Sequence, residues 1–380
     1  MNTIKIKFLF SVYAIINLLF IVKYGSRQEI IPTSLLLILY LLIVSGVLFI
    51  CLKYRKNINN FKKFNFYFFG FSVLILTLLI LINILVEKNS LNVDRWSAME
   101  VTIHSIINGI YPYNLPDHLG KTSSNLPSLS YLGLPFYLIG DVGFLQPFVF
   151  FILLIFLYKS KILPYQKLIL SVLFLFSVAF MWEIYVKSDL MSNLIIVILF
   201  MLIWHDLFKD NYFKKPLLLA FIISFIILTR GIVIIPLTIF LFSKYIKSNT
   251  KEKIIFSIGV ILFLMILSLP ILISIPDIET LIEHNPFNHQ TRYSSKFLQV
   301  IFILVPFIIS FYMKNMLQII YYSFLLIFIL MFLTMFMNIF KNGFNESIFY
   351  SAFDLSYLGM IIPFSIFAFT LQLEPNEKRI

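Results

Sequence analysis

Residues 64–86, FNFYFFGFSVLILTLLILINILV, run for 23 positions without a charged side chain. A helix rising 1.5 Å per residue over that length covers about 35 Å, enough to cross the roughly 30 Å hydrocarbon core of a bilayer. In hydrocarbon every backbone N–H and C=O must be satisfied inside the segment, which a helix achieves. Comparable runs recur along the whole chain. Twelve apolar segments are expected to span, near 8–22, 31–52, 64–86, 131–158, 163–182, 190–207, 212–229, 232–245, 254–274, 297–313, 317–337 and 355–372. Of the 380 residues, 60% are hydrophobic and 13% charged, against about 25% charged in soluble domains. The expected fold class is all-α: a single polytopic transmembrane domain over residues 1–380, without internal repeats or low-complexity segments. The first apolar run follows KIK and lacks a small-x-small cleavage pattern, so it reads as a retained signal anchor. Cys51 is the single cysteine, which excludes an intrachain disulfide.

Charge sets the sidedness. With the N-terminus inside, the inner segments and their helix edges carry 20 of the 30 Lys and Arg, including Lys53, Arg55, Lys56, Lys62, Lys63, Lys244, Lys247, Lys251 and Lys253. Such enrichment in short loops marks a cytoplasmic face. The acids divide the other way. Asp206, Asp210, Glu252, Glu374 and Glu377 fall inside, and the other 13 of 18 fall outside together with four of the five histidines. Both termini are then cytoplasmic, and any chemistry lies on the extracytoplasmic side. The excess of Ile, Phe, Lys and Asn suggests an AT-rich bacterial genome, and the expected location is a bacterial cytoplasmic membrane. The net charge of +12 reads as an anchor for anionic membrane lipids rather than a nucleic-acid surface. Residues 212–245 keep this parity only as two short spans turning at Arg230-Gly231, which also spares an Arg at the bilayer centre a cost of at least ~3 kcal/mol.

The longest outer segment, 87–130, contains NVDRWSAMEVTIHSIINGIYPYN at 92–114; further outer loops are expected at 275–296 and 338–354. SAME fits a capping box, with Ser97 as N-cap, Glu100 three residues on, and Trp96 and Val101 as a staple. The helix expected over about 98–108 stops at Gly109. Met99, Ile103, Ile106, Ile107 and Ile110 form its apolar stripe, while Glu100, His104 and Asn108 form a polar one. Eleven residues cannot span, so an amphipathic helix in the interface is expected. Because Ser97 takes the cap, Asp94 is left without a structural task. The proline-rich stretch that follows is apolar at 126–139 but too broken to span alone, and reads as re-entrant.

An acid after an early span, an interfacial helix, a G-x-YPY turn and a Pro-rich apolar return together resemble the GT-C superfamily. These are integral membrane glycosyltransferases using polyprenyl-phosphate-linked sugars, such as lipid A aminoarabinose transferases and protein O-mannosyltransferases. DRWS, GIYPY and LPFYLIGD look like a Bacteroidetes-type mannosyltransferase branch. The resemblance covers roughly 90–147, and more loosely KSDLMSN (187–193), LTRG (228–231) and EHNPFNHQ (283–290). It departs from the usual pattern in placing the acid after the third span instead of the first.

The resemblance implies a polyprenyl-phosphate-linked sugar donor, a glycan, lipid or protein acceptor, and Asp94 as general base. Pairing of Asp94 with Arg95 in a solvated loop is the plainer reading. Asp189, opening a span, is the second catalytic candidate, or else an acid complementing a helix dipole. Arg230, with Arg292 and Lys121 as alternates, is the candidate for the donor phosphate; an interfacial Arg also commonly snorkels. Glu283, His284 and His289 could hold the acceptor or a metal, although their spacing fits no zinc motif and suits ordinary loop polarity. Trp96, Tyr111, Tyr113 and Tyr293 could stack on a sugar or belong to an aromatic belt. Arg95 and His104 complete the substrate-binding candidates. The sequence names no cofactor, and a divalent cation stays open.

Two other functions fit a many-span chain. An O-antigen or capsule polymerase usually carries its large outer loop late, whereas here it comes early. A polysaccharide flippase or transporter places ionisable groups near the midplane, and the expected span centres hold almost none.

Overall fold

The structure is a computed structural model and describes residues 2–373. Glu374, Glu377 and all but the first residue of the inner segment 373–380 lie outside the described residues. The chain opens with α1 (Asn2–Gly25), α2 (Thr33–Lys53), the short α3 (Arg55–Asn59) and α4 (Phe64–Leu85). A 3-10 turn precedes α5 (Arg95–Asn108) and α6 (Pro127–Leu138), and a second, Val142–Phe144, leads into α7 (Leu145–Lys159). Then come α8 (Pro164–Leu175), α9 (Val178–Tyr185), α10 (Leu190–Phe208) and α11 (Pro216–Ile227). A third 3-10 turn, Gly231–Val233, joins α11 to α12 (Ile234–Lys247), followed by α13 (Thr250–Leu272). The short α14 (Ile278–Glu283) and α15 (Pro286–Gln290) precede α16 (Lys296–Ser310) and α17 (Met316–Asn342). α18 (Phe344–Ile348), α19 (Ser356–Gly359) and α20 (Ile362–Gln372) close the fold. Among the described residues there is no β-strand, only an isolated bridge between Pro116 and Thr122.

Among the described residues seven helices are long and apolar enough to cross a membrane: α1, α2, α4, Val142–Lys159 (the second 3-10 turn with α7), α10, α13 and α17. The α8–α9 pair makes an eighth if its 58° bend is counted as one broken span. This all-helical architecture is that of a polytopic membrane protein. It differs from the twelve full spans expected. The segments at 212–229, 232–245 and 297–313 are helical, but α11, α12 and α16 have only 12, 14 and 15 residues. At 1.5 Å per residue these reach about 18–23 Å, short of a roughly 30 Å core. The segment 355–372 divides into α19 and α20, and the expected span 131–158 breaks at Ile139–Asp141, where Gly140 takes φ +106°.

Each break needs partners for the backbone groups it frees. At the α8–α9 bend Asn17 of α1 supplies them: its Oδ1 accepts from Ser177 Oγ at 2.9 Å and from the Ala179 N–H at 3.0 Å. Before α7, Asp141 Oδ1 accepts the Gly143 N–H at 2.8 Å, and its other oxygen pairs with Lys187. The core sits where α7, α8, α10 and α20 meet; Phe150, Phe174, Phe180, Phe364 and Phe367 are fully enclosed there. At the periphery, α13 and α2 present apolar faces outward, such as Ile258, Ile261, Leu42 and Phe49.

Candidate functional site

Helix α5 begins earlier than its sequence suggests. It starts at Arg95, with Asp94 in the cap position and no side-chain cap hydrogen bond. The expected Ser97–Glu100 capping box is absent. Ser97 Oγ donates to the Asp94 carbonyl at 3.0 Å and shares a 2.5 Å hydrogen bond with His118 Nδ1. Glu100 accepts from Lys88 Nζ at 2.8 and 3.0 Å. The start is fixed from outside the helix, because Arg95 is held by Asp354 and Trp96 is buried. Met99 and Ile103 face α6 at Gly133, where a Cβ would stand 2.5 Å from the Met99 sulfur. Gly109 ends α5 as expected, in the left-handed conformation at φ +66°.

The N-terminus of α5 opens into a polar cavity of about 760 Å³. α1 contributes Lys23 and Tyr24, with Arg27 just beyond its end, and α9 contributes Trp182 and Tyr185. Asp94, Arg95, Asp117 and Lys121 come from α5 and its flanking loops, His289 from α15, Arg292 and Tyr293 from the segment after it, and Asp354 and Tyr357 from the segment ahead of α20. Asp117 shapes the loop carrying Lys121: its Oδ1 accepts the N–H groups of Leu119 at 2.7 Å and Lys121 at 3.0 Å. Lys121 Nζ then reaches Asp94 Oδ2 at 3.0 Å in a half-open ion pair.

Arg95 and Asp354 form the more buried of the cavity's two ion pairs. Arg95 Nη2 donates to Asp354 Oδ2 at 2.6 Å and to Ser356 Oγ at 3.0 Å. Asp354 Oδ1 accepts from the Ser356 N–H at 3.0 Å and Oγ at 2.6 Å. Burial alone would raise the Asp354 carboxyl, but Arg95, the two Ser356 hydrogen bonds and Arg292 together hold it below the ordinary carboxylate value. His289 is pushed the other way from a charged imidazole: burial, then Arg292 and His284, lower it.

A second, mostly apolar cavity of about 400 Å³ adjoins the first. Phe287, Phe302, Ile303, Leu330 and Met331 line it, and Tyr293 and Tyr357 belong to both cavities. Arg230 borders the apolar cavity, but its guanidinium is engaged. Nε donates to Asp189 Oδ2 at 2.9 Å, and Nη2 to Oδ1 and Oδ2 at 2.8 and 2.7 Å. Asp189 also accepts from Asn193 Nδ2 at 2.8 Å and lines neither cavity.

The polar cavity thus brings together Asp94, Arg95, Lys121, His289, Arg292 and Tyr293. The other candidates lie elsewhere. Trp96 packs on His118 with ring centroids 4.7 Å apart. Tyr111 and Tyr113 are buried edge to face, and Tyr113 Oη donates to the Asn125 carbonyl at 2.8 Å. His104 is exposed on α5, and Glu283 lies exposed with His284 Nε2 at 3.9 Å. Among the described residues no three His, Cys, Asp or Glu side chains are grouped to hold a metal ion. Sequence reasoning missed Lys23, Tyr24, Arg27, Trp182, Tyr185 and Asp354. The available signal was a polar residue at the end of an apolar run, as in KYGSR (23–27) and SAFD (351–354). It also missed Glu183, whose carboxylate accepts the N–H groups of Met191 and Ser192 and so fastens the start of α10.

In comparison with known proteins, no family model, no curated protein and no solved structure matches this chain.

Proposed function

We propose that the chain is a GT-C-type glycosyltransferase that moves a mannose-like hexose from a polyprenyl-phosphate donor to a glycan, lipid or protein acceptor. In this reading the polar cavity faces the outside of a bacterial cytoplasmic membrane, both termini are cytoplasmic, and the short helices complete twelve crossings. The observation that carries the proposal is the pairing of cavities. A charged cavity containing Asp94 shares Tyr293 and Tyr357 with an apolar one. A lipid-linked sugar needs both environments at once, polar groups for its head and hydrocarbon contact for its tail.

The acceptor hydroxyl gives its proton to an Asp94 carboxylate oxygen as its oxygen bonds the anomeric carbon. The bond from that carbon to the phosphate oxygen breaks, and its electron pair leaves with polyprenyl phosphate. The cationic lining stabilises that leaving charge in a site of low dielectric. Lys121, on a loop and more than half exposed, releases the Asp94 carboxylate when the acceptor enters. Asp189 acts at a distance by holding Arg230 beside the apolar cavity.

The test is transfer by the full chain in liposomes, supplied with radiolabelled undecaprenyl-phosphate mannose and a total membrane extract as acceptor. Asp94→Asn should cut transfer by about 10²–10⁴-fold, the usual worth of a general base, with an unchanged melting temperature. Full activity in that variant overturns the assignment.

A further inference from the structure

Five cations and three carboxylates line the polar cavity, and the pairing between them is uneven. Arg95 is taken by Asp354, and Lys121 by Asp94. Asp117 spends one oxygen on two backbone N–H groups. Lys23, Arg27 and Arg292 are left over, and none of them has an ion-pair partner among the described residues.

Lys23 is the telling member. The residue is only 3% exposed, yet its ammonium has one hydrogen-bond acceptor, Ser351 Oγ at 3.1 Å. An ammonium carries three donors, and a buried charge is costly unless it is paired and hydrogen-bonded. Ser351 holds that oxygen in place from a left-handed backbone at φ +65°, a strained conformation for a non-glycine residue. Tyr24, stacked on Trp182 with centroids 3.7 Å apart, builds the wall beside Lys23, and Arg27 lies 4.8 Å over the Tyr24 ring. Arg292 lines the same cavity and donates from Nη2 to Tyr293 Oη at 2.7 Å.

We propose that Lys23 and Arg27, with Arg292 opposite, form a phosphoryl subsite that holds the phosphate of a lipid ester in the polar cavity. This moves the phosphate away from Arg230 and Lys121, whose charges are already met by Asp189 and Asp94. Two unpaired cations at the end of the first helix and a third from the segment after α15 line this one cavity, and Tyr293 belongs both to it and to the apolar cavity. Naming the ester as a polyprenyl phosphate rests on the proposed function; the anion subsite does not.

The experiment measures binding, not transfer, so the subsite can stand or fall separately from the glycosyltransferase reading. The full chain in phosphatidylcholine nanodiscs is titrated with undecaprenyl phosphate, with inorganic phosphate and with phosphatidylglycerol. Undecaprenyl phosphate should bind tightest, and phosphatidylglycerol should fail to displace it. Inorganic phosphate should compete weakly and depend on the same side chains. Arg27→Gln, Lys23→Gln and Arg292→Gln should each weaken binding about ten- to hundredfold, the worth of a charge-assisted hydrogen bond. Arg27 and Arg292 are exposed, so their variants keep the fold even if Lys23→Gln does not. Lys88→Gln, which breaks the Glu100 pair outside the cavity, should bind as the wild type does. Wild-type affinity in both Arg27→Gln and Arg292→Gln overturns the subsite. Equal displacement by phosphatidylglycerol also overturns it, since the cations would then be holding an ordinary lipid headgroup.

Discussion

Asp189→Asn tests whether the Asp189–Arg230 pair is architecture. The two side chains are 1% and 5% exposed and joined by three hydrogen bonds of 2.7–2.9 Å. The substitution keeps the shape, removes the charge and turns an acceptor oxygen into an N–H₂ group facing guanidinium donors. It also leaves Asn193 Nδ2 without its 2.8 Å acceptor if the amide nitrogen replaces Oδ2. Breaking one side of a buried pair strands the other charge and costs roughly 3–5 kcal/mol. The apolar double variant Asp189→Leu/Arg230→Met removes both charges at once. It should recover most of that loss and end within about 1 kcal/mol of the wild type or above it, because well-packed apolar replacements often match a buried ion pair. The assay is reversible unfolding of the full chain in mixed micelles of rising SDS fraction. Asp189→Leu and Arg230→Met as singles close the cycle with the double variant and give the coupling between the two sites. A single variant within about 1 kcal/mol of the wild type, or a double variant no better than the single, refutes the reasoning.

Two smaller predictions follow from the geometry. Gly109 sits at φ +66° with nothing within 4 Å of a built Cβ, so Gly109→Ala isolates backbone strain and should cost about 1–2 kcal/mol; Gly109→Asn should cost less, and the same unfolding titration ranks them. His289 has its imidazole lowered from the ordinary 6.5 by burial, then by Arg292 and His284. The unfolded chain therefore takes up a proton below pH 6.5 that the folded chain resists, and stability should fall as pH drops from 6.5 toward the folded value. His289→Gln should flatten that part of the stability–pH curve, and an unchanged slope in the variant would remove His289 as its source.

The parts of the fold legible in the sequence are those decided within one helix. The charge-free run 64–86 became α4 almost residue for residue, and Gly109 stopped α5 where the apolar stripe ends. The Arg230-Gly231 turn also appears where two short segments were expected. What failed was anything decided between segments. Ser97 and Glu100 have capping-box spacing, but Glu100 is drawn to Lys88 and Arg95 is drawn 259 residues along the chain to Asp354, which moves the helix start. Break points obey the same rule. At the 58° bend the one local signal is Ser177, whose Oγ accepts the Phe180 N–H at 3.3 Å, while the remaining partner, Asn17, belongs to another helix.

The site follows from the same distinction. Charged residues are scarce in this chain, so singling out Asp94, Asp189, Arg230, Lys121 and Arg292 required only composition and sidedness. Assigning their roles required knowing which of them neutralise each other. Asp189 reads in sequence as a catalytic or helix-dipole acid and Arg230 as a phosphate-binding or snorkelling cation, yet they lie 41 residues apart and spend their charge on one another. Lys121 does the same to Asp94 across 27 residues. An anionic group meets only the positive charge that pairing leaves behind, and that remainder comes from Lys23 and Arg27 at the end of α1 and Arg292 beyond α15. Lys23 ends an apolar run in sequence and looks like an ordinary helix-end lysine. It becomes a binding candidate only because folding buries it against Ser351 with no ion-pair partner among the described residues.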